Sequence, residues 1–313
     1  MIAAALGVLV GLVLPLQTTV NARLRRSVGG SPFLAAFISF FLGTATLAVA
    51  TLLVAGRLPD LSPAGSAPAW LWIGGLLGVL FLGGNIVLFP HLGSVQTVVL
   101  PIAGQVLMGL IIDEFGLFQA PRVGLTPARI GGAVLLLLGM LGAIGIAGRW
   151  ARGAASDHNE RHEGARVWLW RAFGIFVGMC SAAQTAINGR LGVVLGSAVL
   201  AALVSFTVGT VALLVIVLVT RTPWRLERVD QRRNPWWMWI GGSLGAAYVF
   251  GNAFLAPILG TGLTVMVVVL GMMIGSLLFD HFGLLGTRRK PATLLQVLGL
   301  LLMVAGVAAI RLL

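Results

Sequence analysis

Among the side-chain amides inside long apolar runs of this sequence, seven are informative: Gln17, Asn21, Asn85, Gln105, Gln184, Asn188 and Asn252. An amide facing hydrocarbon leaves donors and acceptors unmet, so each of these should turn inward and find a partner. Gln17 and Asn21 are one helical turn apart, with Asn85 at a similar depth, whereas Gln184, Asn188 and Asn252 gather toward the opposite side. Gln105 falls near mid-depth, after the expected kink at Pro101. Two kinds of chemistry fit such groups. They can line a polar path and hydrogen-bond a small solute, or tie helix to helix at about 0.6–2 kcal/mol per bond. Tyr248 and the mid-run aromatics Phe81, Phe250 and Phe254 are candidate solute contacts on the same path, with packing as the alternative.

Titratable chemistry is sparse. Nine acids are present, and those nearest the apolar runs, Asp113, Glu114 and Asp280, fall at run ends. Asp113 and Asp280 are candidate proton relays, and they could equally pair with arginines. His158 and His162 are spaced i, i+4 in a polar stretch, which reads as a solvated segment and not a metal site. His91 and His281 fall at run ends. No nucleophile–base group, phosphate loop or zinc spacing occurs, and no cofactor is expected. Gly74, Gly75 and Gly78 imitate part of a dinucleotide fingerprint, but they lie within an apolar run with no strand before it.

The elements positioning these residues follow from composition. Of 313 residues, 58% are hydrophobic and 10% charged. A water-facing surface needs about a quarter charged residues, which excludes a soluble enzyme and a disordered chain. Spanning helices need about 20 apolar residues each, and ten runs qualify, near 2–22, 33–55, 70–90, 94–113, 127–147, 167–188, 197–219, 236–257, 261–280 and 292–311. The net charge of +12 sits in short segments between runs, which is the pattern of an inner-membrane protein and not of a nucleic-acid partner. The single cysteine, Cys180, excludes a disulfide framework. All nine tryptophans fall near run ends, as an interfacial belt does.

The chain repeats itself with a displacement of 167 positions. Gln17, Asn21 and Arg23 match Gln184, Asn188 and Arg190; Trp70-Leu71-Trp72-Ile73-Gly74-Gly75 matches Trp237-Met238-Trp239-Ile240-Gly241-Gly242; Gly84-Asn85 matches Gly251-Asn252, and Asp113 matches Asp280. Polar and glycine matches in register reflect duplication, since shared hydrophobicity would not align them. The run from Ile2 recurs mid-chain, so it reads as mature structure and not as a signal peptide. The expected organisation is a five-helix repeat over 1–148, a linker over 149–166 and a second five-helix repeat over 167–313. With five spans per half the second enters the membrane from the other side. The fold class is therefore all-α integral membrane, with ten transmembrane helices in two inverted repeats, the architecture of many secondary transporters.

The strings Leu16-Gln17-Thr18-Thr19-Val20-Asn21-Ala22-Arg23-Leu24 and Ala183-Gln184-Thr185-Ala186-Ile187-Asn188-Gly189-Arg190-Leu191 carry a resemblance. With Ser39-Phe40, Gly43-Thr44, Gly74-Gly75 and Gly84-Asn85, the chain resembles the YdcZ-type branch of the drug/metabolite transporter superfamily over nearly its whole length, twice. The resemblance implies a ten-helix bundle in a bacterial inner membrane and small-molecule transport. Small multidrug exporters of that superfamily use a glutamate in the first helix, whereas neither first helix here contains an acid.

Small residues at i, i+4 (Gly7/Gly11, Gly74/Gly78, Gly174/Gly178, Gly241/Gly245) let helix backbones approach closely, so the first and third helices of each half are expected to pack tightly. Sixteen of the 21 Lys and Arg fall on the linker's side and five on the other. That makes the linker cytoplasmic, with both termini outside; the resemblance implies termini inside. The reading is a secondary transporter of a small organic solute, not an enzyme, with solute and membrane lipid as partners and no oligomeric state specified. The alternatives are a membrane enzyme acting on a lipid-linked substrate and a non-transporting scaffold.

Overall fold

A computed structural model describes residues 2–55, 61, 62, 65, 67–144, 165–227, 234–284, 289 and 291–312. The expected linker lies outside the described residues apart from Ala165 and Arg166, and so does the His158/His162 pair. The described residues are all-helical, with no strand among them. The helices are α1 (Ile2–Ser27), α2 (Pro32–Ala55), α3 (Gly74–Gly93), α4 (Val95–Phe115), α5 (Pro127–Ala143), α6 (Ala165–Val194), α7 (Ala198–Val219), α8 (Gly241–Leu259), α9 (Thr261–Phe282) and α10 (Leu294–Leu312). Seven of them, α1–α4 and α7–α9, are long and apolar enough to cross a membrane. The apolar α5 has 17 residues, and α6 carries Arg166, Arg171 and Arg190 along its 30 residues.

Backbone punctuation repeats with the sequence. Gly93 (φ 69°) separates α3 from α4, and its counterpart Gly260 (φ 81°) separates α8 from α9. These left-handed backbones suit glycine because it has no Cβ to clash. Gly116 and Gly283 end α4 and α9 in the left-handed conformation (φ 62° and 64°), closing each helix as a C-cap glycine does. Thr126 caps α5 by accepting from Arg129 N, and Ser197 caps α7 by accepting from Leu200 N. Short 3-10 turns, Ala69–Trp72 and Trp236–Trp239, bring the tryptophan clusters up to the starts of α3 and α8.

The tight glycine packing is present, but its partners differ from those expected. The first helix of each half packs on the third and fourth helices of the other half. Added Cβ atoms on Gly11 and Gly178 would stand 2.9 Å from Gly271 Cα on α9 and 2.7 Å from Pro101 Cα on α4. The same exchange joins the second and third helices: Gly75 on α3 lies against Gly209 on α7, and Gly242 on α8 lies against Gly43 on α2. Phe40 and Phe206 stack across this contact with centroids 4.8 Å apart, and Thr44 and Thr210 share a 2.9 Å hydroxyl bond. The fifth helices α5 and α10 meet through Gly132/Gly306 and Gly139/Gly299. An i, i+4 spacing establishes that a face is thin; it carries no information about which helix fills the space. The halves are thus interlocked, and the core between them is centred on α9, where every residue from Thr261 to Gly271 is buried. Leu53, Val54, Leu218 and Val219 are among the large apolar side chains exposed on the outer faces of α2 and α7, as a lipid-facing surface requires.

Candidate functional site

The paired amides of each first helix rest on the glycine face of the other half's third helix. A Cβ on Gly241 would stand 3.0 Å from Asn21 Cγ, and one on Gly74 would stand 3.1 Å from Asn188 Cγ. One turn on, Gly78 lies under the Gln184 amide, with Nε2 2.6 Å from the would-be Cβ, and Gly245 lies under Gln17. Each asparagine also engages the second helix of its own half. Ser39 Oγ donates to Asn21 Oδ1 (3.2 Å), and Asn188 Nδ2 donates to Ser205 Oγ (3.1 Å). Two related clusters result, one toward each end of the bundle. Asn85 and Asn252 donate to carbonyls of their own helices, Phe81 O (2.8 Å) and Tyr248 O (2.9 Å). Tyr248 is half-buried against the main core. Gln105 is 8% exposed and its amide makes no hydrogen bond among the described residues.

Asp113 is fully buried and holds the start of α9. Its Oδ1 accepts from Thr261 N (2.7 Å), its Oδ2 accepts from Gly262 N (3.0 Å), and the Arg129 guanidinium, 5% exposed, pairs with Oδ2. Arg129 also donates to Val123 O and Gly124 O. A carboxylate at a helix N-terminus meets unpaired N–H groups and the positive end of the helix dipole, so this clamp binds the first half to the second. It has no copy. Arg129 corresponds to Gln296, which accepts from Thr293 N and Thr293 Oγ1 instead. Asp280 is half-buried and makes no hydrogen bond or ion pair among the described residues.

Four cavities are of interest. One, of about 210 Å³, lies on the seam between the halves and is lined by Gln119 and Pro121 from the first and by Gly189, Arg190, Pro257 and Thr261 from the second. A larger cleft of about 680 Å³, lined by Thr18, Asn21, Arg25, Arg26 and Leu82, opens at the other end between α1, α2 and α3. An almost wholly apolar groove of about 350 Å³ lies between α1 and α8, and a fourth, of about 320 Å³, lies beside Trp170. Of the sequence-derived site residues, Asn21 lines one of these cavities; Gln17, Asn85, Gln105, Gln184, Asn188, Asn252, Tyr248, Asp113 and Asp280 line none of the four. The seam cavity's polar residues, Arg190, Thr261 and Gln119, were absent from the sequence-derived set. A signal existed: Arg23 and Arg190 match in the repeat, so both cannot be topological charge on one arginine-rich face.

The two arginines differ in their surroundings. Arg23 Nη2 donates to Asn234 Oδ1 (3.5 Å). Arg190 makes no hydrogen bond or ion pair among the described residues, and its buried Nε has no partner.

The family model described as "Putative inner membrane exporter, YdcZ" matches residues 2–142 and again 169–309. A solved crystal structure superposes with a TM-score of 0.67 at 17% identity, over 99% of this chain and 96% of that one, which shows a shared fold. No curated protein matches the sequence.

Proposed function

Because the chain belongs to the YdcZ family of inner-membrane exporters, we propose that it is a secondary transporter of a small organic solute working by alternating access. On this reading the ten helices all span the membrane, the two halves run in opposite directions, and the linker is cytoplasmic. The solute site lies on the seam between the halves. The observation that carries the reading is the difference between two arginines that match in the repeat. Arg190 borders a cavity with its guanidinium free, while the matched Arg23 is tied to Asn234. A scaffold kept for stability has no use for one open and one tied copy. A carrier that exposes its site to alternate faces has both by construction, since exchanging the two arrangements opens the opposite mouth. The interlocked contacts support the same motion. Each first helix touches two helices of the other half through glycine backbones and amide ends, surfaces that can slide without exposing a charge.

Reconstituted protein tests this directly. Proteoliposomes loaded with a mixture of small acids, amines and neutral metabolites should show saturable counterflow of at least one labelled component. Protein-free liposomes should show none. Turnover of a lipid-linked substrate without flux would replace the transport reading with an enzymatic one, and neither activity would leave a scaffold.

A further inference from the structure

We infer that the seam cavity is a carboxylate-binding subsite, with Arg190 as the charge partner and Thr261 as a hydroxyl donor, and that the solute is a small organic monoanion with an apolar body. This deepens the transport reading and rests on it only for the word solute.

Three buried side-chain polar atoms lack a partner among the described residues: Asn188 Oδ1, Arg190 Nε and Thr261 Oγ1. Two of those residues, Arg190 and Thr261, line one cavity. Buried polar groups are nearly always bonded, and a guanidinium nitrogen left bare within apolar walls is costlier than a neutral group. Thr261 has a specific reason for being free. Thr51, Thr97, Thr185 and Thr264 each return their hydroxyl to the carbonyl four residues back. Thr261 opens α9 immediately after the left-handed Gly260, so the residue four back, Pro257, belongs to α8, and no such bond forms. Thr261 thus lines the cavity as a buried residue whose hydroxyl has no partner among the described residues.

The local charge selects an anion. Asp113 bonds Thr261 N, so a carboxylate is held at the start of α9, but Arg129 neutralises it. That pair sums to zero and leaves Arg190 as the uncompensated charge of the cavity lining. A guanidinium matches a carboxylate by two parallel N–H donors. The other walls include Ala186, Val193, Ala256 and Pro257, which suit hydrocarbon. An apolar cavity of about 150 Å³ accommodates benzene, so about 210 Å³ accommodates a ring bearing one carboxylate. Sodium benzoate is therefore the probe, with benzamide and benzylamine as neutral and cationic controls of the same size.

Thermal unfolding of the purified full-length protein in detergent should shift upward saturably with benzoate at constant ionic strength, and not with benzamide or benzylamine. Arg190→Gln should weaken the apparent benzoate affinity at least tenfold without lowering the ligand-free Tm, since Arg190 makes no bond to lose. Arg190→Lys should retain part of the affinity, and Thr261→Val should weaken it several-fold. No benzoate shift in the native protein, an equal shift in Arg190→Gln, or equal binding of benzylamine would each overturn the assignment. Should Arg190→Gln fail to fold, the Arg190→Lys and Thr261→Val affinities decide: unchanged values for both overturn it. Binding is read without transport. Benzoate bound through Arg190 with no flux of any solute removes the transport reading and keeps the subsite; flux indifferent to Arg190 does the reverse.

Discussion

Placing one methyl group on Gly75 should separate two helices from opposite halves. In the present structure its Cβ would stand 2.7 Å from Gly209 N and closer still to Ser205 O, both backbone atoms of α7. Ordinary carbon contacts need about 3.5 Å, so α3 and α7 must part by roughly 1 Å at this point. Neither backbone atom can turn aside as a side chain could. Overpacking of this sort costs about 1–3 kcal/mol, and a gap of that width also forfeits a quarter to a half of each neighbouring dispersion contact, so the estimate is about 3 kcal/mol for Gly75→Ala. Gly242→Ala meets the matching atoms, with Gly43 N at 2.7 Å, and should cost the same within about 1 kcal/mol. Gly78→Ala meets the mobile Gln184 amide at 2.6 Å, which can swing away, and should cost about 1 kcal/mol. Gly131→Ala lies mid-helix in α5 with nothing within 4 Å, so it should be neutral or gain up to about 1 kcal/mol in helix propensity. Reversible unfolding in mixed detergent micelles, monitored by circular dichroism, gives all four values. Equal stability for Gly75→Ala and Gly131→Ala would refute the close approach between halves.

Other outcomes follow from the same contacts. Asp113→Asn should destabilise by about 3–5 kcal/mol because Arg129 stays buried without a counter-charge. The double variant Asp113→Asn/Arg129→Met should lose less than the sum of the two singles in the same assay. Gln105→Leu should change stability by less than about 1 kcal/mol, since no bond is broken, and should abolish counterflow if the amide meets solute; normal counterflow would remove it from the path. Gln17→Leu and Gln184→Leu likewise break no hydrogen bond among the described residues and should each change stability by less than about 1 kcal/mol, read by thermal unfolding. With Cys180 replaced, a cysteine at Asp157 should be shielded from a membrane-impermeant thiol reagent in intact cells and one at Asp60 should label; the reverse pattern would place the linker outside.

Much of the fold was legible because the repeat carries its own register. Gly93 and Gly260 are matched glycines in matched left-handed breaks, and each of the ten apolar runs corresponds to a helix, with ends that differ by up to six residues. Partner identity was not legible. Gly74 and Gly78 announce a thin face, but nothing local tells whether Gln17 and Asn21 or Gln184 and Asn188 will cover it, since the two strings are chemically alike. The polar chemistry of the seam cavity was hidden for a different reason. Arg190 in isolation is one more positive charge near a span end, and Thr261 is one more helical threonine. Only packing reveals that one pairs with no carboxylate among the described residues and that the other has lost its carbonyl.

The exchange of partners also explains why duplication here is more than two copies joined end to end. Were α1 and α6 gripped within their own halves, each five-helix unit would complete its own core, and the seam between units would be an ordinary interface. Instead Gly11 needs Gly271, Gly178 needs Pro101, and Asp113 of the first half supplies the acceptors for Thr261 N and Gly262 N of the second. Each half alone would leave both an uncovered glycine groove and an unpartnered first helix. On the alternating-access proposal, relative motion of the halves must therefore slide along these glycine contacts and not pull them apart. The Thr44–Thr210 hydroxyl bond between the halves suits that demand, because a hydrogen bond of about 0.6 kcal/mol on average can be exchanged for another at little cost. The Asp113–Arg129 clamp does not, since parting a buried ion pair costs about 3–5 kcal/mol. On the same proposal it should stay closed while the mouths exchange, which would make the start of α9 a fixed point and leave the facing wall, α6 with Arg190, as the surface that moves.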